Sequence, residues 1–255
     1  MKSFLSGNPP LRIALNEDLV IGRDSRSGSL GYGGVVLDDA NFHECINLDD
    51  FESGRVLHLI PPEGEFAAMN YRCNGEFRPP FRVFPFLEEV SSYKVELVLK
   101  VRADMPSRNY GANVSITFPT PKTATSVHPE LGTQSGLKPG LAASSSDSTA
   151  GGTVGAPTQG QTAEFDQKTR MVVWKIKKFQ GGSEHTLRTK IALSQSSAAS
   201  LRKELAPVRM AFEIPMYNAS GLQVRYLHIA EDSKAYKPYR WVRYVSTTDN
   251  YIIRL

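Results

Sequence analysis

Apolar and polar residues alternate one by one along much of the chain, which is the pattern of a β-strand with one buried face. In the clearest case, residues 93–104, four aliphatic side chains share one face: Val95, Leu97, Leu99 and Val101. The same alternation predicts longer strands over residues 113–118, 170–177, 185–193 and 207–215. Shorter strands are predicted over residues 11–15, 35–37, 55–60, 65–72, 81–86, 222–229, 240–245 and 251–255.

Helical periodicity is nearly absent, and residues 197–205 form the one short helix that the pattern predicts. Many short strands with one polar face favour antiparallel sheets. The sequence therefore predicts an all-β fold, either one antiparallel sandwich or two joined end to end.

A disordered loop is predicted at residues 131–163, which are rich in Ser, Gly, Ala, Thr and Pro. Such a segment has too few large apolar side chains to offset the entropy lost on ordering. Residues 24–34 form a smaller loop of similar composition. Strand patterns resume on both sides of each loop, so we expect residues 1–255 to form one domain.

Charge and cysteine content argue against several classes of function. The chain carries 30 Lys and Arg against 26 Asp and Glu, a net charge of +4, without the clustered patch that nucleic-acid binding needs. Cys45 and Cys73 lie in no CxxC pair, which favours a reducing compartment. His43 and Cys45 are too few to hold a structural zinc, so no metal or other cofactor is expected.

Enzyme signatures are missing. The sequence holds no GxSxG elbow, no phosphate loop, no HExxH and no GxGxxG that opens a helix. The chain is therefore predicted to be a binding module and not an enzyme.

Residues 239–245 carry the most suggestive side chains. In a strand, Trp241 and Arg243 share one face, and an indole beside a guanidinium forms a slot for an aromatic ring. The alternative is a tryptophan buried in the core with an arginine at its rim, and the residues alone do not decide between the two.

Blocks from one end of the chain to the other resemble the medium (mu) subunits of the heterotetrameric clathrin-type adaptor protein complexes. The blocks are Lys2-Ser-Phe-Leu-Ser-Gly, Phe42-His-Glu-Cys-Ile-Asn-Leu, Ile60-Pro-Pro-Glu-Gly-Glu-Phe, Met69-Asn-Tyr-Arg, Ser220-Gly-Leu-Gln-Val-Arg-Tyr-Leu and Arg240-Trp-Val-Arg-Tyr-Val. Pro215-Met-Tyr-Asn-Ala-Ser and Tyr236-Lys-Pro-Tyr-Arg-Trp are most like the fourth adaptor complex of plants and algae.

The resemblance implies an elongated, two-part antiparallel β-sandwich, the mu homology domain, here without its first strand. It implies that the protein binds tyrosine-based signals, Tyr-x-x-Φ with Φ a bulky apolar residue, in the tails of membrane proteins. Carried over position by position, Lys2, Trp241 and Arg243 surround the tyrosine, and Val224, Leu227 and Val242 line the Φ pocket. It also implies partner subunits of a complex, and a cytoplasmic, peripheral location on trans-Golgi network or endosomal membranes and coated vesicles.

Two alternatives stay open. The same fold occurs in stonin-like or delta-coat-like scaffolds, which need not bind tyrosine signals. In addition, Lys175, Lys177 and Lys178 form a basic cluster that is suited to weak binding of anionic phosphoinositides, although a solvated sheet face is the favoured explanation of the cluster.

Overall fold

A computed structural model describes residues 1–22, 34–74, 78–132, 160–196, 201–230 and 238–255. Within these residues the chain forms strands and two one-turn helices. In chain order they are β1 (Lys2–Ser3), β2 (Leu11–Leu15), β3 (Val20–Ile21), β4 (Val36–Leu37), β5 (Asp39–Phe42), β6 (Ile46–Asn47), α1 (Phe51–Gly54), β7 (Val56–Leu59), β8 (Gly64–Glu65), β9 (Met69–Arg72), β10 (Phe81–Ser91), β11 (Lys94–Ala103), β12 (Tyr110–Pro119), β13 (Ala124–Leu131), β14 (Gln161–Asp166), β15 (Met171–Gln180), β16 (Glu184–Leu193), α2 (Leu201–Glu204), β17 (Val208–Pro215), β18 (Val224–Ile229) and β19 (Val245–Ile253).

The chain divides into two compact units, each built from two separate stretches of sequence. Unit 1 comprises Met1–Arg78 and Asn218–Tyr244, and unit 2 comprises Pro79–Tyr217 and Val245–Leu255. The predicted all-β, antiparallel architecture is confirmed; the parallel pairing of β3 with β4 is an exception within it.

Unit 2 is a sandwich of two antiparallel sheets, in the orders β10-β11-β16-β13 and β14-β15-β12-β17-β19. The inward faces of both sheets contribute to one buried core. The aliphatic side chains predicted to share a face of β11 are all buried in it: Val95, Leu97, Leu99 and Val101. Burying one such side chain stabilises the fold by about 1.5–3 kcal/mol, so this alternation has a large energetic consequence.

The predicted loop over residues 131–163 is too wide at both ends. Leu131 belongs to β13, and residues 161–163 belong to β14, while residues 133–159 lie outside the described part of the chain. The Gln161 side chain is hydrogen-bonded to two buried side chains of unit 2. Its Oε1 accepts a hydrogen bond from the buried indole of Trp174 at 3.2 Å, and its Nε2 lies 3.0 Å from Nδ1 of His185. Composition missed residues 161–163 because they are held by backbone pairing with β15 and by the small side chain of Ala163 against the core, rather than by bulky apolar groups.

Unit 1 contains a four-stranded sheet in the order β18-β2-β7-β6 and the two-stranded sheets β1-β8, β3-β4 and β5-β9. Its buried side chains form two clusters, one that includes Leu37 and Phe51 and another that includes Leu11 and Leu59. The sheet depends on long-range pairing, because β18 pairs with β2 from the opposite end of the chain. In the described part of the sheet, β18 is an edge strand.

Two further sequence predictions need correction. The strand predicted over residues 240–245 is wrong, because β19 begins only at Val245 and residues 238–244 belong to no sheet in the described chain. The helix predicted over residues 197–205 is the single turn Leu201–Glu204, with residues 197–200 outside the described chain. Residues 24–33 of the smaller predicted loop also lie outside it.

Candidate functional site

The residues predicted to bind peptide all lie in unit 1, in three places. The first is β1, where Lys2 pairs with Glu65 of β8 in the sheet register. The Lys2 Nζ lies 2.9 Å from the Glu65 Oε2, and both side chains are about two-thirds exposed. Lys2 therefore forms an ion pair with Glu65 at the surface. The sequence alone does not predict this pair, because the two residues are far apart along the chain.

The second place is β18, which carries Val224 and Leu227. Both side chains are half-buried. A register shift between Val224 and Tyr226 marks a bulge, and a bulge changes which face the residues beyond it present. Val224 packs against the cluster that includes Leu37 and Phe51, so part of its apolar surface is already covered within unit 1.

The third place is the segment of residues 238–244, which carries Trp241, Val242 and Arg243. All three are exposed, with 68% of Trp241 and 39% of Val242 accessible to solvent. The expectation that strand geometry sets Trp241 and Arg243 on one face is wrong, since the segment is not a strand. Aromatic and β-branched residues favour strands only where they gain packing against neighbours. Here Trp241 and Val242 are both exposed, so the one-sided burial that favours a strand is lacking.

Two tyrosines that the sequence reasoning did not single out organise this segment. Tyr244 Oη accepts a hydrogen bond of 2.9 Å from the backbone N–H of Val224, which ties the segment to the first residue of β18. The Tyr239 ring is tilted by 49° against the Trp241 indole, with 5.2 Å between the ring centroids. Tyr239, Trp241 and Val242 lie within four residues of one another in the sequence. If the segment is not a buried strand, this local concentration of apolar side chains indicates an exposed apolar cluster.

The two tryptophans of the chain occupy opposite environments. Trp174 is fully buried in the core of unit 2 and its indole N–H is hydrogen-bonded, whereas Trp241 is 68% exposed. An aromatic side chain can bury about 150–250 Å². Leaving this fraction of an indole in water forgoes about 4 kcal/mol of burial free energy. The alternative of a core tryptophan at position 241 is therefore wrong, and the exposed indole, with Tyr239 beside it, offers an apolar surface for a ligand.

The predicted lipid-binding cluster lies in unit 2, on β15. Lys175 and Lys177 are exposed and alternate with buried Ile176, so they share the outer face of the sheet. Lys178 is exposed as well, and its Nζ lies 4.7 Å from the ring centroid of Tyr110, in cation–π geometry. Two of the three lysines thus form one basic face, and the third is held by an aromatic ring.

No group of three or more His, Cys, Asp or Glu side chains suited to a metal ion occurs among the residues that the structure describes. The backbone N–H of Cys45 donates to Nδ1 of His43 at 3.2 Å, which occupies the lone pair that a metal would need. Burial raises the pKa of the Cys45 thiol, so the thiolate is disfavoured at neutral pH. Within the same described ranges, none of the helices has the length and apolar character to cross a membrane.

Known proteins resemble this chain in both sequence and structure. The model of the adaptor complexes medium subunit family matches residues 1–255. The chain is 45% identical to the AP-4 complex subunit mu of Arabidopsis thaliana over 259 residues and 32% identical to the AP-2 complex subunit mu of Dictyostelium discoideum over 266. These alignments cover the whole chain, but 52% and 54% of the relatives, so the chain spans about half their length.

Solved structures share the fold at low sequence identity. The Fcho1 mu homology domain of Danio rerio with a bound Eps15 peptide has a TM-score of 0.57 at 13% identity, covering 97% of this chain and 80% of that one. The yeast delta-COP-I mu-homology domain has a TM-score of 0.54 at 13% identity, covering 93% and 79%. These two likenesses support the mu homology fold alone. Together with the full-length family match and the sequence relatives, they confirm the resemblance read from the sequence: the chain belongs to the adaptor complexes medium subunit family.

Proposed function

We propose that this chain recognises cargo for a vesicle coat by binding Tyr-x-x-Φ signals in the cytosolic tails of membrane proteins. The observation that carries the proposal is the exposed indole of Trp241, packed against Tyr239 and two residues before the exposed Arg243 in sequence. A monomeric fold gains nothing from keeping such a surface in water, whereas a ligand that covers it gains binding energy.

The chemistry of the site suits a phenol ring. The indole of Trp241 supplies an apolar wall, and a guanidinium such as that of Arg243 both stacks on a ring and donates hydrogen bonds to a hydroxyl. Lys2 adds a second cation. Because Glu65 already pairs with Lys2 at 2.9 Å, the tyrosine hydroxyl must share this ammonium with a carboxylate or displace it.

The Φ side chain is assigned to Val224, Leu227 and Val242. Val224 and Leu227 are half-buried and Val242 is partly exposed, so each offers some apolar surface to a guest. The backbone of residues 238–244 is paired with no sheet in the described chain, and the proposal is that an extended peptide adds alongside it. Addition of a peptide as a strand is a known mode of recognition that sends alternate side chains into separate pockets.

Tryptophan fluorescence tests this proposal directly. Trp174 is fully buried, so acrylamide should quench mainly the emission of Trp241. A Tyr-x-x-Φ peptide should reduce that quenching as it binds, while the same peptide with alanine in place of tyrosine should not. Unchanged quenching at peptide concentrations that saturate binding in calorimetry would show that the peptide lies elsewhere.

Calorimetric titration of variants separates the roles of the residues. Trp241→Ala or Arg243→Ala should weaken peptide binding at least tenfold. Undiminished affinity in both of the first two variants would refute the assignment of the site. A peptide array without any preference for tyrosine would instead favour a scaffold of the stonin-like or delta-coat-like kind.

Assembly and location follow as parts of the same proposal. The relatives carry the name of a subunit of the AP-4, AP-2 or AP-1 complex. We therefore propose that the full protein joins other subunits of a heterotetrameric adaptor complex. Its place would be the cytoplasmic side of trans-Golgi network or endosomal membranes and their coated vesicles. Co-purification of the tagged protein with large adaptor subunits tests this, and recovery of the protein as a lone chain would contradict it.

The basic face of β15 supports a second candidate function, contact with anionic phosphoinositides. Lys175 and Lys177 point outward from one sheet face, and each basic residue near an anionic surface contributes about 1 kcal/mol. Pelleting with phosphoinositide-containing liposomes should fall in the Lys175→Ala/Lys177→Ala double variant and fall less in Lys178→Ala. Equal loss in both, or no salt dependence, would contradict binding through this face.

A further inference from the structure

A groove of about 690 Å³ lies in unit 1 at the end of the four-stranded sheet where β2 begins and where β7 and β18 end. Four polar side chains line it in a row across the sheet. The register pairs His228 with Arg12, Arg12 with His58, and His58 with Asn47. Directly opposite residues of antiparallel strands lie about 4.5–5.5 Å apart, so the row is continuous.

The row lies on a different face from the apolar residues of the proposed Φ pocket. His228 is next to Leu227 on β18, and successive residues of a strand point to opposite faces. The buried neighbours of Arg12 and His58, Leu11 and Leu59, also line the groove where the sheet ends. The polar row of the groove is thus on the opposite side of β18 from Leu227, which is assigned to the tyrosine signal.

Basic side chains outnumber acidic ones among the described residues that line the groove, which include one arginine and two histidines but no aspartate or glutamate. His58 Nε2 lies 2.8 Å from Asp50 Oδ2, so the histidine on the β6 side already has a carboxylate. Arg12 and His228 are exposed, and within the described chain neither forms an ion pair. An exposed arginine favours an anionic guest, and its planar guanidinium binds a carboxylate through two hydrogen bonds.

Apolar residues of the groove indicate that the guest carries an apolar group beside its carboxylate. Ile60 is 58% exposed at one side of the groove, and Pro10 lines it as well. A volume of this size accommodates a few residues of extended peptide. A free inorganic anion would leave Ile60 uncovered, whereas a peptide with an acidic residue next to a bulky apolar one would use both features.

From this arrangement we propose that the groove is a second peptide-binding site, which takes an acidic side chain onto Arg12 and His228 and a neighbouring apolar side chain against Ile60. The site is independent of the tyrosine signal, since the two lie on opposite faces of β18. Both are expected to be occupied at the same time.

The test uses the whole chain labelled with ¹⁵N and the capped peptide acetyl-Ile-Glu-Leu-amide. Its titration should shift the backbone amide signals of Arg12, His58, Ile60 and His228. The matched peptide acetyl-Ile-Gln-Leu-amide should bind at least fivefold more weakly. Equal affinity of the two peptides, shifts confined to other residues, or equal shifts with inorganic phosphate would overturn the proposal.

Two variants and one competition sharpen the result. Arg12→Gln should reduce affinity at least fivefold, while Arg209→Gln, an exposed strand arginine of unit 2, should leave it unchanged. The glutamate-to-glutamine peptide comparison uses the unmodified chain and holds even if Arg12→Gln fails to fold. Saturation with a Tyr-x-x-Φ peptide should not displace the acidic peptide, and displacement would show that the two sites are one.

Discussion

Replacement of Trp241 by alanine is the most informative single change, because its magnitude can be worked from the structure. With 68% of Trp241 exposed, about 170 Å² of its surface is open to a ligand. If a bound tyrosine ring covers half of that surface, the burial contributes about 2 kcal/mol at 25 cal/mol per Å². This corresponds to about a 30-fold change in the dissociation constant.

The assay is calorimetric titration of a Tyr-x-x-Φ peptide into the wild-type chain and into Trp241→Ala. Phe86→Ala is a suitable control, because Phe86 is also a largely exposed aromatic residue, at 58%, but lies in unit 2. The control should bind as the wild type does. The free energy of unfolding of Trp241→Ala should stay close to that of the wild type, since little buried surface is lost.

A loss of affinity smaller than threefold in Trp241→Ala would refute the reasoning, because the indole would then be no part of the bound surface. A large loss of affinity in both Trp241→Ala and Phe86→Ala would also refute the reasoning, since nonspecific hydrophobic binding to exposed aromatic rings would then explain the result.

Three further predictions concern the stability of unit 2. Burial lowers the pKa of His185 in the native state. Below about pH 6.5, the ordinary pKa of a histidine, the unfolded chain therefore binds a proton at His185 that the native state does not bind. The free energy of unfolding should therefore fall as the pH drops below about 6.5, by at most about 1.4 kcal/mol per pH unit, and urea titrations should show a smaller pH dependence in His185→Gln. Gln161→Ala should lower the free energy of unfolding by about 1–3 kcal/mol in the same assay, because it leaves the buried Trp174 N–H without its acceptor. An unchanged free energy of unfolding would show that this hydrogen bond does not stabilise the core. A side chain on Gly181 would place its Cβ 2.1 Å from the carbonyl oxygen of Pro106, so Gly181→Ala should lower the thermal midpoint by several degrees, whereas Gly54→Ala, whose Cβ would make only ordinary contact, should not.

Local patterns predicted most of the strands. Alternation placed the strand over residues 11–15 with its observed bounds, and it placed the buried face of β11 correctly. These predictions succeeded because the period of side chains along a strand is fixed by backbone geometry. The absence of enzyme motifs also pointed in the right direction, since the family to which the chain belongs consists of non-enzymatic coat proteins.

Long-range pairing was beyond the sequence pattern. Residues 240–244 have the composition of a strand, yet a strand needs a neighbour to pair with, and propensity does not supply one. The ion pair of Lys2 with Glu65 depends on the register of β1 with β8, which no local signal sets. The assignment of the peptide-binding residues came from family resemblance, and it stays a prediction until a peptide is titrated.

The interleaving of the two units has a consequence for synthesis on the ribosome. Unit 1 takes β18 from residues 218–244, and unit 2 takes β19 from residues 245–255. Neither sheet can therefore close until residues 218–255 have left the exit tunnel. Until then β2 and β17 each have an unpaired edge, and unpaired edges are prone to aggregation. A premature stop shortly before residue 218 would damage both units at once, so nascent chains of this protein should depend on chaperones until residues 218–255 have emerged.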